Sequence, residues 1–214
     1  MDIKNVLKNL EANNMEAHFV ETKKDALNLV KEMLPEGATV SNGGSVTLVE
    51  TGVMALLNSG KYQYLDRSRA QTDEERKEIY RKCFSADYYF CSANAITEAG
   101  ELYNVDGNCN RISCITFGPK NVVVIAGINK IVSDIGAAVK RVKTISAPKN
   151  TKRLGCETYC AKTGVCISEK TGELEAIGKG CSSPQRICCT YLVSSQQRVK
   201  NRIKVILVNE ELGY

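Results

Sequence analysis

Predicted strands and helices alternate along the first 150 residues, and this alternation restricts the fold more than any other feature of the sequence. Short apolar runs such as residues 38–41 are each followed by an apolar stripe with helical spacing. Thr72 and Glu75 form a capping-box pattern at the start of one such helix. Residues 121–126 are almost continuously apolar, which is typical of a strand buried on both faces. The pattern predicts an α/β fold of three layers with a mostly parallel sheet.

The character of the chain changes near Ala147 and Pro148. Residues 1–150 are predicted to form an α/β ligand-binding domain, and residues 151–214 a cysteine-rich metal or cluster segment followed by a C-terminal strand. Within the first part, two turn signals in residues 95–108 predict a hairpin-like excursion. Residues 112–117 are predicted to form the strand that follows it.

Three loops are predicted to meet at the carboxyl ends of the strands, where open α/β sheets bind ligands. The first is a glycine turn before a helix, whose exposed amides favour an anion, although a plain tight turn is the competing interpretation. The second carries carboxylates that could act as acid or base, or could simply be solvated. The third follows the most buried strand. The predicted binding residues are Ser41, Asn42, Gly43, Gly44, Ser45, Asn94, Asn104, Gly127, Asn129 and Lys130, and the predicted catalytic residues are Glu98 and Asp106.

Positive charge is concentrated between residues 130 and 162, which contain eight basic and two acidic side chains. Such a bias favours a small anionic ligand or an acidic partner surface, and a solvated helix face is the alternative. The chain has no Trp, and no nucleic-acid motif is present. Nucleic acid is therefore not an expected partner.

The pattern of the N-terminal residues predicts the cellular compartment of the protein. They form a polar amphipathic pattern with apolar Ile3, Val6, Leu7 and Leu10, rather than the continuous apolar core of a secretory signal. No apolar run approaches the roughly 18 residues that a membrane span requires. We therefore expect a cytoplasmic protein with no membrane association, in which thiols stay reduced and a tight cysteine group favours a metal over disulfides.

Six of the ten cysteines lie in the last third of the chain. Four thiolates from irregular loops can hold a tetrahedral zinc ion or a cubane iron-sulfur cluster, and ordinary free thiols are the alternative. The remaining four cysteines are predicted to pack in the core of the α/β domain. His18 is the only histidine, so nucleophilic catalysis assisted by histidine is not expected.

Seven segments of the chain share a pattern with one known family: residues 41–50, 92–107, 117–120, 126–132, 162–166, 181–188 and 202–213. These segments resemble the LUD domain of the lactate-utilisation proteins, including protein C of that group. The resemblance covers essentially the whole chain, and it implies a fold similar to ribose-5-phosphate isomerase, the coenzyme A transferases and the folate cyclo-ligases.

The resemblance implies a ligand set for the cysteine tail. Cys160, Cys166, Cys181 and Cys188 match the tail motif of the family, which leaves Cys156 and Cys189 as spares. Some lactate-utilisation proteins carry iron-sulfur clusters, so the implied cofactor is a [4Fe-4S] cluster, with zinc as the alternative. This chain departs from the family pattern because fourteen residues separate Cys166 from Cys181. The polar insert is predicted to form a surface hairpin.

The resulting functional hypothesis is a redox-linked enzyme or enzyme subunit that acts on a small anionic organic acid. Its alternative is a non-catalytic metabolite-binding module with a structural zinc ion or cluster. An isomerase-like or ligase-like activity rests on analogy of fold alone. The hypotheses for partners are the small anionic ligand, a redox partner protein and a further copy of the same chain.

Overall fold

Six parallel strands form the main sheet in the computed structural model, which describes residues 2–214. All five neighbouring pairs in this sheet are parallel. The C-terminal strand of the chain lies inside the sheet, between the first strand and the buried strand predicted at residues 121–126. In spatial order the strands are β1 (Glu16–Val20), β10 (Ile203–Val208), β7 (Asn121–Gly127), β4 (Tyr88–Cys91), β2 (Thr39–Asn42) and β3 (Gln63–Tyr64).

The helices follow the strands as the alternating pattern predicts. Capping boxes start two of them, at Thr22 and Thr72. Each threonine side chain accepts from the backbone N–H of the third helical residue, and the carboxylate of that residue accepts from the threonine backbone N–H. The α-helices are α1 (Ile3–Ala12), α2 (Lys23–Met33), α3 (Val46–Glu50), α4 (Val53–Leu57), α5 (Asp73–Lys82), α6 (Asn110–Thr116), α7 (Ile135–Arg141), α8 (Ala147–Arg153) and α9 (Tyr159–Thr163). A π-helical turn (Val142–Ser146) joins α7 to α8, and four 3-10 turns lie at Arg67–Arg69, Cys83–Ser85, Ile128–Lys130 and Ile167–Glu169.

The main sheet is covered on both faces. Alternate side chains of a strand point to opposite faces, and in β7 Val122 and Val124 pack in one apolar cluster with α1 and α6. Val123 and Ile125 pack in a second cluster with α2, α3 and α4. The prediction of a three-layer α/β fold with a mostly parallel sheet is therefore confirmed.

A smaller second sheet contains the strands β8 (Ile131–Val132), β5 (Ala95–Thr97), β6 (Leu102–Asp106) and β9 (Thr190–Ser194), in that order. Its β5 and β6 pair in antiparallel fashion, which confirms the predicted hairpin. Strand β9 comes from the cysteine-rich segment and pairs with β6. A third apolar cluster joins Tyr103 of β6 to α7, and Cys188 and Tyr191 pack against it.

The strand predicted at residues 112–117 is wrong, because this segment forms helix α6. The cause lies outside the segment. Both oxygens of Asp106 accept hydrogen bonds, and Oδ2 accepts from the backbone N–H groups of Arg111 and Ile112 in the first turn of the helix. A carboxylate at this position satisfies N–H groups that a helix start leaves free, and it outweighs the strand preference of Ile112 and Ile115.

No helix within residues 2–214 is both long enough and apolar enough to cross a membrane.

Candidate functional site

A cleft of about 520 Å³ opens at the carboxyl ends of β2, β4 and β7. Gly44 to Thr47 follow β2, Ser92 to Asn94 follow β4, and Lys130 follows β7. The opposite wall comes from helix α8 and from residues 184–188 of the cysteine-rich segment. The cleft therefore lies where the topology of an open α/β sheet places a ligand site.

Five of the twelve predicted site residues line this cleft. They come from all three of the predicted loops, so the structure brings those loops together. The five residues are Gly44, Ser45, Asn94, Asp106 and Lys130.

Three residues of the first predicted loop contact neighbouring residues and do not line the cleft. The Ser41 hydroxyl donates to the carbonyl oxygen of Leu65. The Asn42 side-chain oxygen accepts a bond of 2.6 Å from the Tyr64 hydroxyl. Gly43 lies against Arg111, because a β-carbon built on it would be 3.1 Å from Cγ and Cδ of that side chain.

The predicted residues Gly127 and Asn129 hold the C-terminal segment. The amide of Asn129 donates to the carbonyl oxygens of Leu212 and Gly213 and accepts from the Leu212 N–H group. A β-carbon on Gly127 would lie 2.4 Å from the Glu210 carbonyl oxygen, so the close approach of this segment requires glycine.

Two further predicted residues lie away from the cleft lining. Asn104 is buried in β6, and neither polar atom of its side chain has a hydrogen-bond partner within residues 2–214. Glu98 is exposed in the turn between β5 and β6. Its backbone N–H donates to the Val132 carbonyl, and its own carbonyl accepts from the Asn9 side chain. Its carboxylate does not line the cleft, where the predicted catalytic role would require it.

Asp106 and Arg111 form an ion pair in the cleft wall, 2.8 Å from Oδ1 to Nη2. Four hydrogen bonds reach the two oxygens of Asp106, two from the Arg111 guanidinium and two from backbone N–H groups. The guanidinium also donates to Ser92 O, Asn94 Oδ1 and Val105 O. This arrangement suits Asp106 for fixing Arg111 better than for removing a proton from a substrate.

Lys130 is 2% exposed, and its Nζ atom donates to Thr47 Oγ1 at 2.9 Å and to Ser92 Oγ at 2.8 Å. Burial lowers the pKa of Lys130 to about 7, and the positive charges of Arg141 and Arg111 add to this effect. The ammonium makes no ion pair with a carboxylate within residues 2–214. The amine therefore loses its proton far more readily near neutral pH than an ordinary lysine does.

Arg141 lies directly behind the cleft wall and is 7% exposed. It donates to the carbonyl oxygens of Asn129 and Asn94 and to Ser146 Oγ, all neutral acceptors. Two largely buried basic side chains, Arg111 and Lys130, thus line the cleft and Arg141 lies behind its wall, whereas Asp106 supplies the one buried carboxylate in the lining. Neither Arg111 nor Arg141 is among the predicted site residues, because the segment directly after Arg111 is predicted as a strand and Arg141 lies in a basic stretch that also suits a solvated helix face.

A second, small cavity of about 20 Å³ brings together the four predicted metal ligands. Its lining includes apolar and aromatic side chains of the third cluster. All four sulfur-bearing residues of the predicted set, Cys160, Cys166, Cys181 and Cys188, line it. Among residues 2–214, however, no three Cys, His, Asp or Glu side chains stand close enough together to hold a metal ion.

The surroundings of this cavity are basic. Lys143 and Lys179 line it, and no carboxylate is among its lining residues. Lys143 is 4% exposed, and its Nζ atom donates to the backbone carbonyl oxygens of Glu173 and Ala176 at 2.7 Å each. Arg186 donates to the carbonyl oxygens of Cys181 and Cys188, so it also brings its charge close to the sulfur atoms.

Two features link this cavity to its neighbours. The Tyr103 hydroxyl is buried without a hydrogen-bond partner in the part of the chain that the structure describes, and Tyr103 lines the cavity. Cys188, Val142 and Ala147 line both the cavity and the large cleft, so one layer of side chains separates the two. Burial raises the pKa of Cys188 to about 11, although the Arg186 charge opposes the shift. Without a metal, Cys188 is therefore a protonated thiol.

A crystal structure of a DUF162 family protein from Deinococcus radiodurans is similar to this chain, with a TM-score of 0.51 and 12% identity over 97% of this chain and 99% of that one. This similarity shows a shared fold. Weaker similarity extends to ribose 5-phosphate isomerase from Plasmodium falciparum (TM-score 0.33, 17% identity, 52% of both chains). It also extends to eIF2B delta from Chaetomium thermophilum (TM-score 0.35, 17% identity, 52% of this chain and 48% of that one).

No curated protein matches the sequence. The family model of the LUD domain matches residues 3–208, nearly the whole chain. The matched range includes the glycine turn, the three loops of the cleft and the cysteine-rich segment. The resemblance seen in the sequence is thereby confirmed, and the chain belongs to the LUD domain family.

Proposed function

We propose that the cleft binds the anion of a small organic acid, as part of a redox-linked enzyme or subunit of the lactate-utilisation type. The observation that carries this proposal is the excess of buried positive charge. Arg111, Lys130 and Arg141 surround the cleft, and Asp106 neutralises only the first of them. An unpaired charge is costly to bury, and a bound carboxylate would supply the missing partner.

Side chains rather than a helix start would bind the acid. Helix α3 has only five residues, and the Ser45 hydroxyl already caps it by accepting from the Leu48 N–H group. Lys130 would provide the charge that meets the carboxylate. The Asn94 amide lines the cleft and could hydrogen-bond a hydroxyl or carbonyl oxygen of the acid.

The same proposal includes a metal group held by Cys160, Cys166, Cys181 and Cys188. Thiolates are the ligands that zinc and iron-sulfur clusters prefer, and both groups leave negative charge on the sulfur atoms. Lys143, Lys179 and Arg186 would offset that charge, and no carboxylate in the cavity lining opposes it. The unpartnered Tyr103 hydroxyl could donate to a sulfur atom of such a group.

An iron-sulfur cluster would supply one-electron chemistry to the acid in the adjacent cleft, whereas zinc would supply structure. A cavity of about 20 Å³ has room for one ion, so a cubane cluster requires the insert at residues 167–180 to move outward. Purification without oxygen, followed by iron, sulfide and zinc analysis with a visible spectrum, separates these cases. Stoichiometric zinc in a colourless protein would exclude the redox role.

The acid site is tested with pairs of ligands that differ only in charge. Lactate and pyruvate should raise the melting temperature, while the neutral amides of the same acids should not, because only the acids supply the missing negative charge. Equal shifts from acids and amides would show that charge does not govern binding. No shift from any organic acid in a wider panel would contradict the proposed site.

A second candidate is a non-catalytic metabolite-binding module with a structural zinc ion or cluster. One observation favours it: of the two predicted acid-base residues, Glu98 is outside the cleft lining and Asp106 already accepts four hydrogen bonds. Turnover assays with an artificial electron acceptor, using the acids that bind, distinguish the two candidates. Binding without turnover in cofactor-loaded protein would support the module.

A further inference from the structure

Each hydroxyl that contacts Lys130 also has a backbone carbonyl oxygen at 3.4 Å. The Ser92 hydroxyl donates to the Ala93 carbonyl, and the Thr47 hydroxyl donates to the Leu212 carbonyl. Each hydroxyl has a single hydrogen. With these hydrogens directed at the carbonyls, both oxygens accept from Lys130 Nζ, which uses two N–H groups of the lysine.

In the absence of a ligand, this arrangement matches a neutral amine. A neutral amine has two N–H groups and one lone pair, so the two hydroxyls satisfy both hydrogens and leave the lone pair without a partner. An ammonium would have a third N–H group, for which residues 2–214 provide no acceptor. Without a ligand this third donor lacks a protein partner, which favours the neutral amine, whereas the carboxylate of a bound acid would accept from it and favour the ammonium.

The surrounding charges favour the same protonation state. Burial lowers the pKa of Lys130 to about 7, and the positive charges of Arg141 and Arg111 act in the same direction. Glu50 and Cys91 oppose this shift weakly. A lysine that is desolvated beside other cations is a nucleophile near neutral pH.

We propose that Lys130 forms a covalent imine with the carbonyl carbon of a 2-oxo acid bound in the cleft. The inference rests on the proposed acid site, since a 2-oxo acid is the oxidised counterpart of a 2-hydroxy acid such as lactate. Of the basic side chains in the cleft lining, Lys130 alone is an amine. Lys130 follows β7, and Asn94, which lines the same cleft, follows the neighbouring strand β4.

The reaction balances without an oxidant or reductant. The Nζ lone pair attacks the carbonyl carbon, and the oxygen takes a proton to give a carbinolamine. Loss of the hydroxyl group as water, together with the remaining proton from Nζ, forms the C=N double bond. The hydroxyls of Ser92 and Thr47, both bonded to Nζ, can transfer these protons. The imine withdraws electrons from the neighbouring carbon, which weakens the bonds of that carbon to hydrogen or to a carboxylate.

The test traps the imine in the unmodified protein. The full chain is incubated with pyruvate, treated with sodium borohydride, and digested for mass spectrometry. Borohydride adds a hydride to the imine carbon and fixes the acid on the lysine. The expected result is one modified lysine, Lys130, and no modification with lactate, which has no carbonyl group at the reacting carbon.

Lys143 is the matched internal control. It is also buried, but both of its bonds go to backbone carbonyl oxygens, and it does not line the large cleft. Modification of Lys143 or of exposed lysines at the same level as Lys130 would overturn the proposal. Because the modified site is mapped in the wild-type protein, this result does not depend on whether a variant folds.

Melting temperatures of the wild-type protein with and without pyruvate separate the imine from the acid site. The variant Lys130→Arg is the control for trapping, because arginine cannot form the imine under these conditions. Borohydride should trap nothing in this variant. If pyruvate stabilises the wild-type protein but is not trapped on Lys130, the imine is wrong and the acid site stands. If neither stabilisation nor trapping occurs, both inferences fail.

Discussion

Asp106 and Arg111 form a nearly buried ion pair, with Oδ1 and Nη2 separated by 2.8 Å and side-chain exposures of 9% and 12%. This pair explains how the cleft can contain a fixed guanidinium while leaving other positive charges unneutralised. The carboxylate of Asp106 accepts two hydrogen bonds from the Arg111 guanidinium and two from backbone N–H groups in the first turn of α6. Lys130 and Arg141 are left without a carboxylate.

The variant Asp106→Asn should lower the free energy of unfolding by about 3 kcal/mol, since it removes one partner of a buried ion pair. Urea unfolding measures this change. Asp73→Asn is the control, because Asp73 pairs with Arg76 at the surface and is 73% exposed. The control should change stability by less than about 1 kcal/mol. Equal effects from the two variants would contradict the importance given to the buried pair.

Two adjacent glycines should differ in their response to alanine. A β-carbon on Gly43 would lie 3.1 Å from Arg111 and 3.2 Å from the Tyr89 hydroxyl, whereas one on Gly44 would lie 3.4 Å from a terminal nitrogen of Arg67. Because hydrogen bonds fix Arg111, Gly43→Ala should cost about 1–3 kcal/mol of stability and weaken binding of an organic acid. Gly44→Ala should leave both nearly unchanged, and only a larger side chain there should obstruct the ligand. Calorimetric titration and urea unfolding of the two variants test this difference.

The lowered pKa of Lys130 predicts how stability depends on pH. In the unfolded chain the amine has its usual pKa of 10.5, and in the folded protein its pKa is about 7. Between these values the unfolded state binds more protons, so the free energy of unfolding should rise with pH by up to about 1.4 kcal/mol per unit. The penalty is present in full below pH 7 and disappears as the pH approaches 10.5.

Urea unfolding at about pH 7.5 and about pH 9 measures this slope, and the variant Lys130→Met should remove it. Other groups titrate in this range, so the quantity to compare is the difference between wild type and variant. A slope that is identical in the two proteins would show that Lys130 has an ordinary pKa.

The sequence predicts the parts of this fold that depend on local patterns. The capping boxes at Thr22 and Thr72 and the apolar run of β7 each contain their own signal, and the structure has all three. Helix α6 could not be predicted in this way, because its first turn is stabilised by Asp106 on a preceding strand. The position of β10 inside the sheet is likewise set by partners that are distant in sequence.

The site shows the same division. Glycine turns and polar loops after predicted strands located the cleft, since the carboxyl ends of parallel strands share one edge. Which side chains face the cleft depends on tertiary contacts. Asn129 holds the C-terminal segment, and Asn104 is enclosed in the second sheet, whereas Arg111 and Ser92 form the wall. Loop residues were therefore predicted as a group, but their individual roles were not.

The cysteine set predicts a matched pair of variants. Cys181→Ser should lose bound metal and weaken hydrogen-exchange protection of residues 156–189 together, because metal binding would contribute local folding free energy. Cys83→Ser should retain metal, since Cys83 is buried beside Ser41 in the first apolar cluster. Full metal content with native protection in Cys181→Ser would mean that Cys160, Cys166, Cys181 and Cys188 are not the ligand set.

The central claim is that unpaired buried positive charge makes the cleft a site for organic acid anions. The most direct measurement is calorimetric titration of lactate at about pH 6.5, where Lys130 is mostly protonated. The wild-type protein and the variant Lys120→Met, which changes an exposed lysine paired with Asp87, should bind lactate equally. The variant Lys130→Met should bind at least about tenfold more weakly, because it loses a charge-assisted hydrogen bond. Equal affinity in Lys130→Met and wild type, or no binding to either, would contradict the account.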